Sequence, residues 1–166
     1  MTERKRIESI CVFCGSSSGN SEIYTQEAEK LGKLFAKNKI KLVYGGSNVG
    51  LMGVVADSVL KNGGEVIGVL PRFLSDKEIA HLALTELILV DTMHQRKNTM
   101  AELSDAFIAL PGGFGTLEEL FEVTTWHQLG LHSKPIGILN LNGFYDSLFS
   151  LIENMASNGF LKEETK

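Results

Sequence analysis

The residues best suited to chemistry lie in one stretch, Leu110-Pro-Gly-Gly-Phe-Gly-Thr-Leu-Glu-Glu119. Three glycines in four positions, Gly112, Gly113 and Gly115, free the backbone to reach positive φ and to approach a ligand closely. Successive N–H groups in such a turn can form an anion nest, and the helix expected to start near Thr116 offers more unpaired N–H groups. With Glu118 and Glu119 just behind it, the stretch reads as a phosphate seat backed by carboxylates. A second reading stays open: a tight βα turn closed by a capping box, Thr116-x-x-Glu119, in which the Glu119 side chain bonds back to the Thr116 N–H. Upstream, Arg96 and Lys97 fall three and four residues after Met93, so they flank or interrupt the apolar stripe of Met93, Met100 and Leu103. A charge beside a core-facing stripe either finds a partner or snorkels to solvent.

The elements that must position these residues follow from periodicity. Continuous apolar runs at Ile7–Phe13, Lys41–Tyr44, Glu65–Leu70, Leu87–Val90, Asp105–Leu110 and Pro135–Leu139 read as strands covered on both faces. Helical spacing follows from about Ser21 to Asn38, from Leu51 to Asn62, from Thr92 to Leu103, from Thr116 to Leu129 and from Tyr145 to Ala156. Arg72–Thr85 reads as irregular. Strands alternating with helices predict an α/β fold: a Rossmann-like, doubly wound, mostly parallel sheet with helices on both faces. The 166 residues are expected to form a single nucleotide-binding domain. Three strand ends are rich in glycine: Cys14–Asn20, Gly45–Gly50 and Gly112–Gly115. They should share the edge where such sheets bind ligands.

A hydrophobic share of 43% and a charged share of 22% are ordinary for a globular protein. The net charge of −4 offers no basic footprint for nucleic acid, so an anionic ligand must be held by local devices. No apolar run approaches a membrane span of about 20 residues, so no membrane partner is expected. The two cysteines, Cys11 and Cys14, have C-x-x-C spacing, but on a strand they point to opposite faces and make poor partners for one metal or one disulfide. Free thiols and the lack of a secretory leader point to a cytoplasmic protein.

Several catalytic patterns are absent. There is no P-loop, and Glu118 stands where a dinucleotide fingerprint needs its third glycine. His81, His94, His127 and His132 form no H-E-x-x-H pattern, and no metal site is expected. Ser16, Ser17 and Ser18 form no G-x-S-x-G elbow.

With these residues in hand, the sequence closely resembles the Lonely-Guy (LOG) family, the cytokinin riboside 5′-monophosphate phosphoribohydrolases. The match spans nearly the whole chain. The family pattern P-G-G-x-G-T-x-x-E stands intact at Pro111–Glu119, and its companion at Met93-His-Gln-Arg-Lys97. Val12–Ser17, Tyr44-Gly-Gly46, Gly50-Leu-Met-Gly53 and Lys77–His81 are also family-like. The resemblance implies a homodimer that hydrolyses the N-glycosidic bond of a nucleoside 5′-monophosphate, with no cofactor. The products are adenine or an N6-substituted adenine and ribose 5-phosphate. It implies Arg96 and Glu119 as the catalytic pair and Gly112, Gly113, Gly115 and Thr116 as the phosphate seat. Phe114, Leu117 and Glu118 complete that motif, and Glu78, Lys97 and Thr125 line the nucleotide site. Two alternatives are a carrier that binds nucleotide without hydrolysis and a nucleosidase of broader base range. Relatives have been labelled lysine decarboxylases, but no lysine here has the context of a pyridoxal phosphate site. The family usually continues past the position of Lys166 with another strand and helix, so a shorter or truncated form is expected.

The chemistry needs a carboxylate that stabilises an oxocarbenium-like sugar and takes a proton from water. Glu119 is the candidate. Arg96, with a pKa above about 12, is expected to grip phosphate or ribose rather than donate a proton.

Overall fold

A computed structural model describes residues 6–75 and 79–162. The strands are β1 (Ser9–Phe13), β2 (Lys41–Tyr44), β3 (Val66–Pro71), β4 (Glu86–Val90), β5 (Ala106–Ala109) and β6 (Ile136–Ile138). The helices are α1 (Glu22–Asn38), α2 (Gly50–Lys61), α3 (Arg72–Ser75), α4 (Met93–Glu102), α5 (Phe114–Gln128) and α6 (Asp146–Ser157). The strands form one sheet in the order β4-β3-β2-β1-β5-β6, and every pairing is parallel. The expected doubly wound sheet is therefore present. Two boundaries differ from expectation. Arg72–Ser75 forms one helical turn inside the segment read as irregular, and α5 begins at Phe114 rather than Thr116.

Alternation along β1 divides the core. Ile10 and Val12 face α1 and α2, where Phe35, Val55 and Val59 pack on Leu42 and Tyr44. Cys11 and Phe13 face α4 and α5, where Met100 and Val123 pack on Val43, Val69 and Phe107. Both sides of the central strands are thus dry, which accounts for their unbroken apolar runs. Cys11 and Cys14 fall into opposite clusters and are free thiols, as period-two alternation requires.

The order of strands reverses between β1 and β5. Chains leaving these two strands must turn away to opposite sides, which opens a crevice at their C-terminal ends. The loop after β1 and the glycine turn after β5 meet there. Gly15 donates its N–H to Pro111 O at 3.1 Å and accepts from Leu51 N at 3.1 Å. A cleft of about 260 Å³ opens beside them, lined by Ser16, Ser17, Tyr24, Pro111, Gly112 and Phe144.

Candidate active site

The site is built upward from Gly112. A Cβ at this position would strike the Thr116 hydroxyl and would sit 2.9 Å from Gly15 N, so only glycine lets the β1 and β5 ends close on each other. Gly113 is extended, at φ −94° and ψ −151°, and serves as the N-cap of α5 without any side-chain cap. The N–H groups of the first helical turn, beginning at Phe114, are left without partners in the helix. Gly113, Phe114 and Gly115 are exposed, and Thr116 is buried under them. The motif therefore forms an open helix N-terminus of the kind that binds anions.

The capping-box reading fails. Thr116 is the third residue of α5 and Glu119 the sixth, so neither sits where the box requires. Glu119 instead makes no hydrogen bond or ion-pair contact among the described residues. Its carboxyl is largely withdrawn from solvent, and this burial pushes its pKa up to about 7. Arg96 and Lys97 oppose that shift, while Glu118 and Glu122 add to it. A largely buried carboxyl poised near neutrality, with no hydrogen-bond partner, is a functional-site signature.

Arg96 reaches this region from α4. It is 8% exposed and held by main chain: its Nε donates to Val69 O at 3.0 Å and an Nη to Gly45 O at 2.6 Å. Burial pulls its pKa below the usual value, and the Glu119 charge pulls it back up. Snorkelling is thus overturned: the Val69 carbonyl within β3 and the Gly45 carbonyl just after β2 are aimed at the guanidinium. Gly45 makes room for it, because a Cβ there would strike the same Nη. The double glycine Gly45-Gly46 is a visible signal in the sequence, but its link to Arg96, 51 residues away, is not.

Lys97 is also buried, and it ties α4 to α5. Its Nζ bonds to Glu118 Oε1 at 2.8 Å and to Glu122 Oε1 at 3.2 Å. Burial works against its charge, but these carboxylates outweigh burial and raise its pKa. A lysine held protonated in this way is a poor amine nucleophile. Leu117, in the first turn of α5, is half-buried. Thr125 is exposed near the far end of α5, about 14 Å from Thr116 at 1.5 Å per residue. Glu78 lies outside the described residues. The structure therefore brings together the Gly112–Glu119 motif, Arg96 and Lys97, and leaves Thr125 apart within one chain.

The fold and site define a class: α/β proteins with an uncapped, glycine-rich helix start at the sheet's switch point and a buried arginine near a largely buried carboxyl behind it. Comparison with known proteins narrows the class. Residues 52–166 match the family model described as "Possible lysine decarboxylase". The cytokinin riboside 5′-monophosphate phosphoribohydrolase LOG2 of Arabidopsis thaliana is 49% identical over 163 residues, 98% of this chain and 76% of its own. LOG7 of the same plant is 51% identical over 158 residues, 95% of this chain and 73% of its own. Among solved structures, the molybdenum cofactor binding protein of Rippkaea orientalis superposes with a TM-score of 0.71 at 28% identity, covering 91% of this chain and 87% of its own. The Moco carrier protein of Chlamydomonas reinhardtii gives 0.69 at 25%, covering 88% and 85%. This chain belongs to the "Possible lysine decarboxylase" family, the one that contains the cytokinin riboside 5′-monophosphate phosphoribohydrolases.

Proposed function

We propose that this protein is a phosphoribohydrolase that cleaves the N-glycosidic bond of adenosine 5′-monophosphates, including N6-substituted ones. The products are the free base and ribose 5-phosphate. The observation that carries the reading is Glu119: an unpaired carboxyl at a pKa of about 7, facing the Arg96 charge, one helical turn behind an uncapped helix start. Relatives about half identical to this chain bear the name of that reaction.

The 5′-phosphate sits against the N–H groups of Gly113–Thr116, where the helix dipole favours it. Nε and one Nη of Arg96 are spent on carbonyls, so its remaining Nη–H groups and its charge orient the sugar phosphate. As the bond between C1′ and the base lengthens, its electron pair leaves with the base and positive charge grows on the ribose. Ionised Glu119 stabilises that charge and removes a proton from the attacking water, whose oxygen bonds to C1′; one proton from that water ends on the departing base, so free base and ribose 5-phosphate balance the water consumed. The raised pKa makes Glu119 a stronger base than an ordinary carboxylate. Glu118 and Lys97 fix the first turns of α5 and thereby the place of Glu119.

A homodimer is part of the proposal. Phe114, Phe121, Leu129 and Leu131, on α5 and just after it, are 93%, 38%, 68% and 70% exposed. An apolar stripe of this kind fits a second copy, and Thr125 within it then lies near the partner's site rather than its own. Free buried thiols support a reducing, cytoplasmic setting. No helix among the described residues is long and apolar enough to cross a membrane.

The test is to incubate the folded protein with AMP and with N6-isopentenyl-AMP and to follow free base by chromatography. Release of base that Glu119→Gln abolishes supports the proposal, and no release from any nucleoside monophosphate overturns it. The rival reading, a carrier without hydrolysis, draws on the fold shared with the molybdenum cofactor binding protein and the Moco carrier protein. Tight AMP binding by calorimetry with no turnover over hours would favour it.

A further inference from the structure

Arg96 is held by two carbonyls, and the turn that carries one of them is itself held from outside the site. Gly45 O accepts from the Arg96 Nη. The next residue, Gly46, has φ +75°, and its carbonyl accepts the His81 N–H at 2.9 Å. Asn48 N donates to Ile79 O at 3.0 Å, and Ser47 pairs with Ala80 in an antiparallel bridge. On the core side, the buried Tyr44 hydroxyl donates to Ser47 O at 3.0 Å. The Gly45-Gly46 turn is thus clamped between Tyr44 and a short strap, Ile79–His81.

The strap has its own anchor. Ala83 N donates to His81 Nδ1 at 3.3 Å, so Nδ1 carries a lone pair. In the neutral ring the proton then resides on Nε2, which donates to Asp57 Oδ1 at 3.1 Å. Asp57 belongs to α2, whose Val55, Ala56 and Val59 are fully buried. The His81 side chain is 8% exposed and that of Asp57 52% exposed. Neither residue contacts the phosphate seat, and the proposed mechanism uses neither.

We propose that the Asp57–His81 pair is a positioning device for Arg96. It fixes the strap, the strap fixes the Gly46 carbonyl, and the turn so held aims Gly45 O at the guanidinium. The pair works through neutral hydrogen-bond geometry at Asp57 Oδ1, so an acceptor is required there and a charge is not. The catalytic consequence rests on the phosphoribohydrolase reading, whereas the structural link to Arg96 does not.

The test uses the full chain with Asp57→Ala, Asp57→Asn and His81→Ala. Turnover of AMP is measured over a range of concentrations, and solvent exchange of the Arg96 Nη–H groups, one of which donates to Gly45 O, is followed by NMR in ligand-free protein. Asp57 is half in solvent, so its variants keep the fold even where His81→Ala does not. Asp57→Ala is expected to lower kcat about 10-fold or more, since a small misplacement of an orienting group is costly. KM should stay within about twofold, and the Arg96 Nη–H groups should exchange faster. Asp57→Asn, which still accepts from His81 Nε2, should keep kcat within about twofold of the native protein. An unchanged kcat in Asp57→Ala overturns the proposal, as does a lower kcat with unaltered Arg96 exchange. If the native protein turns over no monophosphate but Asp57→Ala still speeds Arg96 exchange, the positioning link stands and the reaction reading falls.

Discussion

Two helices start at the C-terminal edge of this sheet, and they begin in opposite ways. α4 starts with a complete capping box: Gln95 N donates to the Thr92 hydroxyl at 3.1 Å, and Gln95 Oε1 accepts from Thr92 N at 3.2 Å. α5 starts at Gly113 with no side-chain cap. At the α4 start, side chains satisfy the N–H groups of Thr92 and Gln95, and that helix carries the buried Arg96 and Lys97. The free N–H groups of α5 are left open for a ligand. A closed end contributes stability, and an open end trades stability for binding. Both starts lie in polar stretches with a threonine three residues before a Gln or Glu, and only the cap geometry separates their uses.

The sharpest way to break this comparison is Glu119→Gln. If α5 carries the chemistry, turnover should fall about 10²–10⁴-fold while the fold persists, measured by base release and circular dichroism. Gly112→Ala comes next. Its methyl would strike Thr116 and crowd Gly15, so kcat/KM should fall about 100-fold and stability by about 1–3 kcal/mol. The most direct exchange between the two helix starts is Gly113→Asp. A Cβ there meets nothing within 4 Å, so the aspartate fits and caps α5 as Thr92 caps α4. Thermal stability should rise by about 0.5–1 kcal/mol while KM for the monophosphate rises about 10-fold, because the side chain competes for the phosphate's donors. A fall in both would show that the open end is not a seat.

The pH dependence tests the same trade. Glu119 goes from 4.5 unfolded to about 7 folded, so the folded state holds its proton more firmly. That contribution to stability is complete below pH 4.5 and is lost as pH rises through 7. Glu119→Gln should therefore match the native protein at pH 4 and exceed it by about 1–2 kcal/mol at pH 8 in denaturant titrations. Native turnover should rise through pH 7 as the base ionises. The smallest effect belongs to the closed end: Thr92→Ala should cost about 1 kcal/mol of stability and leave kcat at 25 °C unaltered.

Much of the fold is legible in the sequence. The apolar runs mark all six strands within about two residues, because strands buried on both faces have little freedom in composition. The start and stop of α1 follow from Ser21 and Asn38. The start of α5 lies two residues earlier than its pattern predicts, since Thr116 and Glu119 have the right types for a capping box they do not form. Gly112 packs against Gly15, and Gly113 instead serves as the N-cap of a helix that begins at Phe114. Thr92-x-x-Gln95 fits the same pattern and does form the box, so residue types alone do not tell a closed helix start from an open one. Arg96 and Lys97 stand out in the sequence as charges in need of partners. Those partners lie 27 and 51 residues away for Arg96 and 21 and 25 for Lys97, beyond the reach of any local pattern.

The sequence by itself determined the alternation of strands and helices, the glycine-rich ends of β1, β2 and β5, and the residue types at the start of α5. These are local properties: period, propensity and backbone freedom act within a few residues. Only the tertiary structure decided that Glu119 is unpaired and raised to about 7, that Arg96 hangs on the Gly45 and Val69 carbonyls, and that α5 is open while α4 is closed. Desolvation and long-range hydrogen bonds set those outcomes, and both depend on which distant segments the fold brings within a few ångströms of each other.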